Sequence, residues 1–380
     1  MTSFAFSLLR QVGECLGNSY RDNWEARRAL PRPERSVPDE VDEARLAELG
    51  YAYVQDVASR SAVFLNHVES ILPGLERTYD LLEDAQSRDL LVKLFAYRML
   101  GHERVRLPFP TADYHARIEA LEDLAEDVPG LVARVPAKEI LLQYLDLSGV
   151  GIPIRLQSTP LAVYNIFFAE QYAHRVPGRR IAVQEGDTVL DLGGCWGDTA
   201  MSFSDLVGSS GQVISFEFLP QNLEIFERNL ELNPALGERV RILRRAAWSR
   251  TGERMYFADH GPATRVIPEP SGAFLQEVET LSIDDLVREE SLGVDFLKMD
   301  IEGAELEALR GAEWTLRQQR PDLAISLYHR LQDFAEIPDY LASLDLGYHF
   351  YLGNATIFES ETVLFAQSDR GPAAATPTRI

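Results

Sequence analysis

Asp300 and Glu302 stand two residues apart in the run Phe296-Leu297-Lys298-Met299-Asp300-Ile301-Glu302-Gly303-Ala304-Glu305, and His329 closely follows a second apolar run, Leu323 to Leu327. An imidazole titrates near neutrality, so His329 can take the proton of a neutral hydroxyl as a general base. Asp300 can polarise that imidazole or hydrogen-bond a ligand ammonium. The same three side chains, Asp300, Glu302 and His329, are also candidate ligands for Mg2+ or Mn2+, with waters completing an octahedron. Such an ion would hold a diol and lower its pKa. A helix-capping or packing role is the other reading of His329. Glu305 and Glu307 suit the start of a helix and read as helix-end charges. His260, in Asp259-His260-Gly261-Pro262, reads as an exposed turn residue that can wall a substrate.

These groups need strands to place them. Phe296 to Met299 and Leu323 to Leu327 read as buried parallel strands. In an open α/β sheet, ligands bind just past the carboxyl ends of the strands, where Asp300, Glu302 and His329 fall. A third such junction lies upstream. Val189 to Leu192 is an apolar strand, Gly193-Gly194-Cys195-Trp196-Gly197 turns the chain, and Asp198 to Val207 reads as a helix. Val213 to Phe218 is a further strand that ends on the carboxylate Glu217 beside Phe218. Strand, glycine turn, helix, strand and acid form a cradle for a nucleoside. The glycines admit close backbone approach, the helix start offers free N–H groups, and the acid accepts from a ribose diol.

Dinucleotide loops usually read G-x-G-x-x-G. Here the turn is D-x-G-x-C-x-G, with Asp191 two residues ahead of Gly193. That spacing is similar to the S-adenosylmethionine loop of class I methyltransferases, with Cys195 in place of the middle glycine. In order along the chain, DLGGCWGDTA, ISFEFLPQNLEIFERNLELNP, ETLSIDDLV, VDFLKMDIEGAELEALRGAE, LAISLYHRLQDFAEIPDYL and ETVLFA carry a wider likeness. From about Val189 to Ala366 the chain resembles the FkbM-type methyltransferases. The resemblance implies a class I, Rossmann-like mixed seven-stranded sheet and S-adenosyl-L-methionine as cofactor. It also implies methyl transfer, often to oxygen on sugars or natural products. Carried onto this sequence, it puts Asp191, Gly193, Gly194, Cys195 and Gly197 at the methionine end and Glu217 with Phe218 at the ribose. Ala246 and Ala247 fall at the adenine edge, and Asp300 between cofactor and acceptor.

The remaining chain limits the alternatives. A formal net charge of −22 over 380 residues disfavours a phosphate backbone as partner, so a small hydroxylated acceptor is expected and nucleic acid is not. Arg239, Arg241, Arg244 and Arg245 flank one strand and read as a charged sheet edge. No apolar run approaches the roughly 18 residues of a membrane helix, and the first ten residues do not read as a signal peptide. Membrane association is therefore not expected. The only cysteines are Cys15 and Cys195, which suits a reducing cytoplasm. An NAD-dependent oxidoreductase would need a Tyr/Lys pair near the nicotinamide, and a non-catalytic cofactor-binding module would need no acids at the acceptor edge.

Four segments are expected: an N-terminal extension over 1–40, a mainly helical accessory domain with a hairpin over 41–157, the cofactor-binding domain over 158–367, and a disordered tail over 368–380. Glu139 to Leu147 and Ile152 to Gln157 form the expected hairpin. Ser158-Thr159-Pro160 opens a helix to about His174, from which Gln171 or Tyr172 can reach the cofactor. Ala304 to Gln319 and Pro338 to Leu346 read as further helices. The helical segment has no catalytic set of its own and is expected to cover the site or to form a homodimer.

Overall fold

The molecule was analysed as a computed structural model that describes residues 3–20, 23, 57–135, 138–258, 261–269 and 276–369. His260, most of the expected N-terminal extension and the tail beyond residue 369 lie outside the described residues. Seven strands form the central sheet: β1 Thr188–Leu192, β2 Gln212–Phe216, β3 Val240–Leu243, β4 Phe296–Met299, β5 Asp322–Ser326, β6 Tyr348–Asn354 and β7 Thr362–Ser368. Their order is β3-β2-β1-β4-β5-β7-β6. The first five are parallel, and β7 runs antiparallel between β5 and β6. This is the mixed seven-stranded arrangement expected from the sequence. The inner strands are buried on both faces, which is why they read as continuous apolar runs.

Register levels the strand ends. Leu192 is paired with Phe216 on one side and with Met299 on the other. Gly193, Glu217 and Asp300, each just past these residues, therefore emerge at one edge of the sheet.

Three helices differ from expectation. The stretch 304–319 is two helices, Glu305–Arg310 and Glu313–Gln319. The break falls at Gly311, where a Cβ would overlap the backbone carbonyl of Trp248, so the chain bends at a contact only glycine permits. Pro338 lies inside the helix Asp333–Ser343 rather than at its start. Its missing N–H frees the carbonyl of Phe334, which accepts instead from Thr78 Oγ1 at 2.9 Å. The helix opened by Thr159 has a single α turn, Pro160–Val163, followed by a π turn, Tyr164–Phe168, and stops well short of His174.

The N-terminal half packs on the sheet in two parts. Helices Val57–Leu81 and Ala85–Leu100 share one core with the helix Asp333–Ser343 and with β6, as in the edge-on contact of Phe95 and Phe334 at 5.5 Å. A three-stranded sheet, Glu126–Val135, Lys138–Asp146 and Arg155–Ser158, packs elsewhere. Its last two strands are the expected hairpin, and the first was not expected. Leu131, Ala133 and Leu142 of this sheet share a cluster with Trp196 of the glycine loop and Ile225 of the helix Pro220–Leu232, so a β-hairpin and a helix together brace that loop. The arginines at β3 are paired as an edge: Arg241 with Glu290 at 2.5 Å, Arg245 with Glu279 at 3.8 Å, and Arg244 with Glu227. Among the described residues, no helix is long and apolar enough to cross a membrane.

Candidate functional site

A cleft of about 580 Å³ opens at the carboxyl ends of β1, β2 and β4. Gly193, Cys195, Glu217 and Phe218 line it, as do Ala246 and Ala247, and so do Asp300 and Glu302. Eight of the residues singled out in the sequence thus share one space. Asp191, Gly194, Gly197 and His329 are not among its walls.

The glycine loop is shaped by what lies beneath it. Gly193 has φ +88°, and a Cβ there would overlap the carbonyl oxygen of Asp300. The loop and the acid-bearing turn therefore touch backbone to backbone. Gly194 and Gly197 pack instead against side chains, Gly194 on Ser215 and Phe226 and Gly197 on Phe226. Cys195 lies in the left-handed region at φ +46°, which explains why glycine is the usual occupant of such a position. Burial pushes its thiol pKa well up, so the thiol stays neutral.

Asp191 sits below the loop rather than in the cleft, which corrects its expected contact with the cofactor. Its side chain is fully buried and accepts from Thr199 Oγ1 at 3.0 Å and Ser215 Oγ at 2.9 Å. Its cross-strand partner on β4 is Lys298, with Nζ at 2.9 Å and a side chain only 1% exposed. Lys298 also donates to the carbonyls of Gly193 at 2.6 Å and Leu192 at 3.3 Å. Burial alone would lower its pKa, but Asp191 and Asp300 outweigh burial and raise it. A buried ion pair thus clamps the loop to β4.

Glu217, just past β2, is ringed by neutral donors. Its Oε1 accepts the N–H of Phe218 at 2.6 Å and of Leu219 at 2.8 Å, and Oε2 accepts Asn222 Nδ2 at 3.1 Å. Burial nevertheless pushes its carboxyl up to about 7. The ring of Phe218 lies edge-on to Phe257 at 5.0 Å and holds that wall. The other amide atom of Asn222, Oδ1, is buried, has no partner, and belongs to a residue lining the cleft.

Asp300 is ringed by stronger partners. Tyr172 O–H donates to Oδ2 at 2.7 Å, Tyr328 O–H lies 3.2 and 3.4 Å from the two oxygens, and His329 Nε2 lies 3.2 Å from Oδ1. Burial alone would raise this carboxyl, but His329 and Lys298 hold it well below the usual carboxylate range. His329 in turn faces three acids: Asp300, Glu302 at 3.4 Å from Nε2, and Glu305 at 2.8 Å from Nδ1. Burial would lower the imidazole pKa, but those carboxylates drive it far above neutrality. The surroundings therefore favour the imidazolium, with Nδ1–H donating to Glu305 and Nε2 held at ion-pair distance from Asp300 and Glu302 without a hydrogen bond.

These surroundings disfavour the general-base role expected of His329. An imidazolium has no lone pair with which to take a proton or to bind a metal. The metal-ligand set expected from the sequence shifts as well, since the atoms brought within 4.8 Å of one another belong to Asp300, Glu305 and His329. Glu305, read as a helix-end charge, is fully buried and accepts both His329 Nδ1–H and the N–H of Ile301. Glu302 lines the cleft from a left-handed turn at φ +59°. Tyr172, expected to reach the cofactor, bonds Asp300 and is not among the walls of the cleft. Lys298, Tyr328, Glu305 and Asn222 were missed, and a lysine inside an apolar strand was the one visible signal among them.

The methyltransferase FkbM domain model matches residues 173–350. Curated protein sequences give no match. Among solved structures, the chain is similar to a methyltransferase FkbM from Methylobacillus flagellatus at 19% identity and TM-score 0.48, covering 79% of this chain and 60% of that one. The chain thus spans less than two thirds of that protein's length. A fibrillarin from Aeropyrum pernix, with natively bound S-adenosyl-L-methionine, aligns at 15% identity and TM-score 0.33, over 64% of this chain and 99% of its own. A SAM-dependent O-methyltransferase from Thermotoga maritima aligns at 16% identity and TM-score 0.35, over 63% and 78%. The family match falls on β1, β2, β3, β4 and β5 with the loops that wall the cleft, and so it is residues 173–350, just under half of the chain, that match a methyltransferase FkbM domain.

Proposed function

We propose that this chain transfers the methyl group of S-adenosylmethionine to a hydroxyl of a small molecule of sugar or polyketide type. One observation carries the reading. The nucleoside-cradling residues Gly193, Cys195 and Glu217 share a single cleft with the acid-bearing residues Asp300 and Glu302. The walls suit the cofactor: Glu217 Oε2 keeps acceptor capacity, and Ala246 and Ala247 add little side-chain bulk. Bound there, S-adenosylmethionine would supply an electrophilic methyl group on a sulfonium.

Gly193 and Cys195 would hold the methionine end, Glu217 the ribose, and Ala246 with Ala247 the adenine edge. Asp300 is committed to two tyrosines and an imidazolium, so it acts as a fixed negative charge that orients what binds beside it. Glu302 lines the cleft and keeps a side chain 22% exposed. It is the carboxylate placed to accept the hydroxyl proton as the new O–C bond forms. Alignment of the acceptor oxygen in this walled cleft supplies much of the rate. A divalent metal is no part of this proposal, because three carboxylates around His329 favour its protonated form, which offers a metal no lone pair. The net charge of −22 favours a small acceptor over a nucleic acid. Cys15 and Cys195 are both free, which suits a reducing, cytoplasmic setting.

Calorimetry with S-adenosylmethionine and, separately, NAD tests the cofactor, and mass spectrometry of hydroxylated acceptors tests the transfer. Glu302→Gln is expected to lower kcat by about 100-fold with cofactor affinity unchanged. Binding of NAD in place of the methyl donor would sink the proposal, as would methylation at nitrogen only.

A further inference from the structure

Glu217 does not present two free oxygens to a ligand. Its Oε1 already accepts two backbone N–H groups, and its Oε2 accepts Asn222 Nδ2 at 3.1 Å. A carboxylate has about four lone-pair sites, so the remaining capacity lies chiefly on Oε2. A ribose brings two vicinal hydroxyls, and each is a donor. One acceptor atom beside Glu217 is still without a partner.

That atom is Asn222 Oδ1. Asn222 is 1% exposed, it lines the cleft, and Oδ1 makes no hydrogen bond. Its orientation follows from its neighbour. Turning the amide over would set its oxygen against Glu217 Oε2, two acceptors face to face, so Nδ2 points to Glu217 and Oδ1 is the atom left over. A buried carbonyl oxygen with no partner is costly, and a donor arriving with a ligand removes that cost. Asn222 lies in the first turn of the helix Pro220–Leu232, directly after β2, and is fixed by packing in that turn.

We infer that Asn222 is a second reader of the cofactor's ribose. Glu217 Oε2 accepts one hydroxyl and Asn222 Oδ1 accepts its neighbour, so the pair recognises a vicinal diol where the carboxylate alone would recognise one hydroxyl. The inference rests on the proposed binding of S-adenosylmethionine in this cleft. It predicts discrimination against nucleosides that lack either hydroxyl.

The test measures adenosine, 2′-deoxyadenosine and 3′-deoxyadenosine in competition with S-adenosylhomocysteine. On the unmodified chain, each deoxy compound is expected to bind about tenfold more weakly than adenosine, one hydrogen bond's worth of affinity. In Asn222→Ala, one of the two deoxy penalties should vanish while the other stays. Asn222→Ser, smaller but still polar, serves if the alanine variant does not fold. An equal loss for all three nucleosides would mean that Asn222 merely props Glu217, and would overturn the inference. So would three unchanged affinities. If the unmodified chain does not bind S-adenosylhomocysteine, the cofactor reading fails first, and this inference falls with it.

Discussion

Glu217 is a buried carboxylate and Asp300 a partly buried one, both stand just past a parallel strand, and both line one cleft, yet their protonation is driven in opposite directions. Glu217 is pushed up to about 7, whereas Asp300 is held well below the usual range. Burial penalises the charged form of each. The difference is the charge of the partners. Around Glu217 every donor is a neutral N–H, from the backbone amides of Phe218, Leu219 and Cys195 and from Asn222. Beside Asp300 stand an imidazolium and, close by, the ammonium of Lys298. Neutral donors fail to offset desolvation, while a cation a few ångströms away in a low-dielectric site exceeds it. One acid can therefore respond to an arriving ligand, and the other is a fixed charge.

The largest effect is expected from removing the fixed charge. Asp300→Asn takes a carboxylate from two tyrosines, from His329 and from the neighbourhood of Lys298. Breaking such a buried pair costs about 3 kcal/mol or more in stability. Methyl transfer should fall more than about 100-fold, beyond what a single lost hydrogen bond explains. Denaturant melts and single-turnover transfer read the two effects. Activity within tenfold of the unmodified chain would show that Asp300 is not the electrostatic anchor.

Glu217→Gln should act through pH. A carboxyl at about 7 in the folded chain and near 4.5 unfolded is protonated only in the folded state between those values. Stability therefore falls as pH rises through that window, by up to about 3 kcal/mol for a shift of this size. Asp333, also pushed to about 7 by burial, adds a fall of the same sign. Glu217→Gln should therefore reduce the slope without abolishing it. Asp300 has the opposite sign: its contribution is present above its unfolded value and is lost only as pH falls below it. Ribose hydroxyls favour the ionised Glu217, so adenosine affinity should rise with pH up to about 7 and then level off. The glutamine variant should bind about tenfold more weakly at high pH with a flat profile. A sloping profile in that variant would move the titrating group elsewhere.

Legibility in the sequence follows the same division. Four of the five parallel strands were readable because burial on both faces leaves runs such as Val189 to Leu192 and Phe296 to Met299 without the alternation of a half-exposed strand. The ribose-end residues were readable because they follow those runs by one or two positions. The fixed-charge network was not. Asp191 meets Lys298 across two strands far apart in the chain, and Glu305 meets His329 across a helix start and a strand end. A glutamate in the first turn of a helix is most often solvated, and nothing in its letter marks the one that a distant imidazole draws inward. The strand Glu126–Val135 was hidden for a local reason. Pro129-Gly130 reads as a turn, and the structure absorbs it as a register shift between Asp127 and Val132.

Cys195→Gly should have the smallest effect and tests how tightly the two acids are joined by the loop. Cys195 holds φ +46°, a conformation costing roughly 1–2 kcal/mol for a residue with a Cβ. Glycine removes that cost but brings about 0.5–1 kcal/mol of extra chain entropy to the unfolded state. The variant should also lose contacts, since Cys195 packs against the cluster of Leu131, Leu142 and Trp196. These changes nearly cancel, and a Tm shift within about 4 °C is expected. The backbone N–H of Cys195 helps to lower the Glu217 carboxyl, so a loosened loop weakens that donor. The pH midpoint of adenosine binding should then move up, by less than about half a unit. The Asp191–Lys298 clamp on Gly193 lies below the substituted residue and is untouched, so turnover at high pH should be unchanged. A turnover loss as large as that of Asp300→Asn would mean that the loop conformation, not the partner charges, separates the two acids.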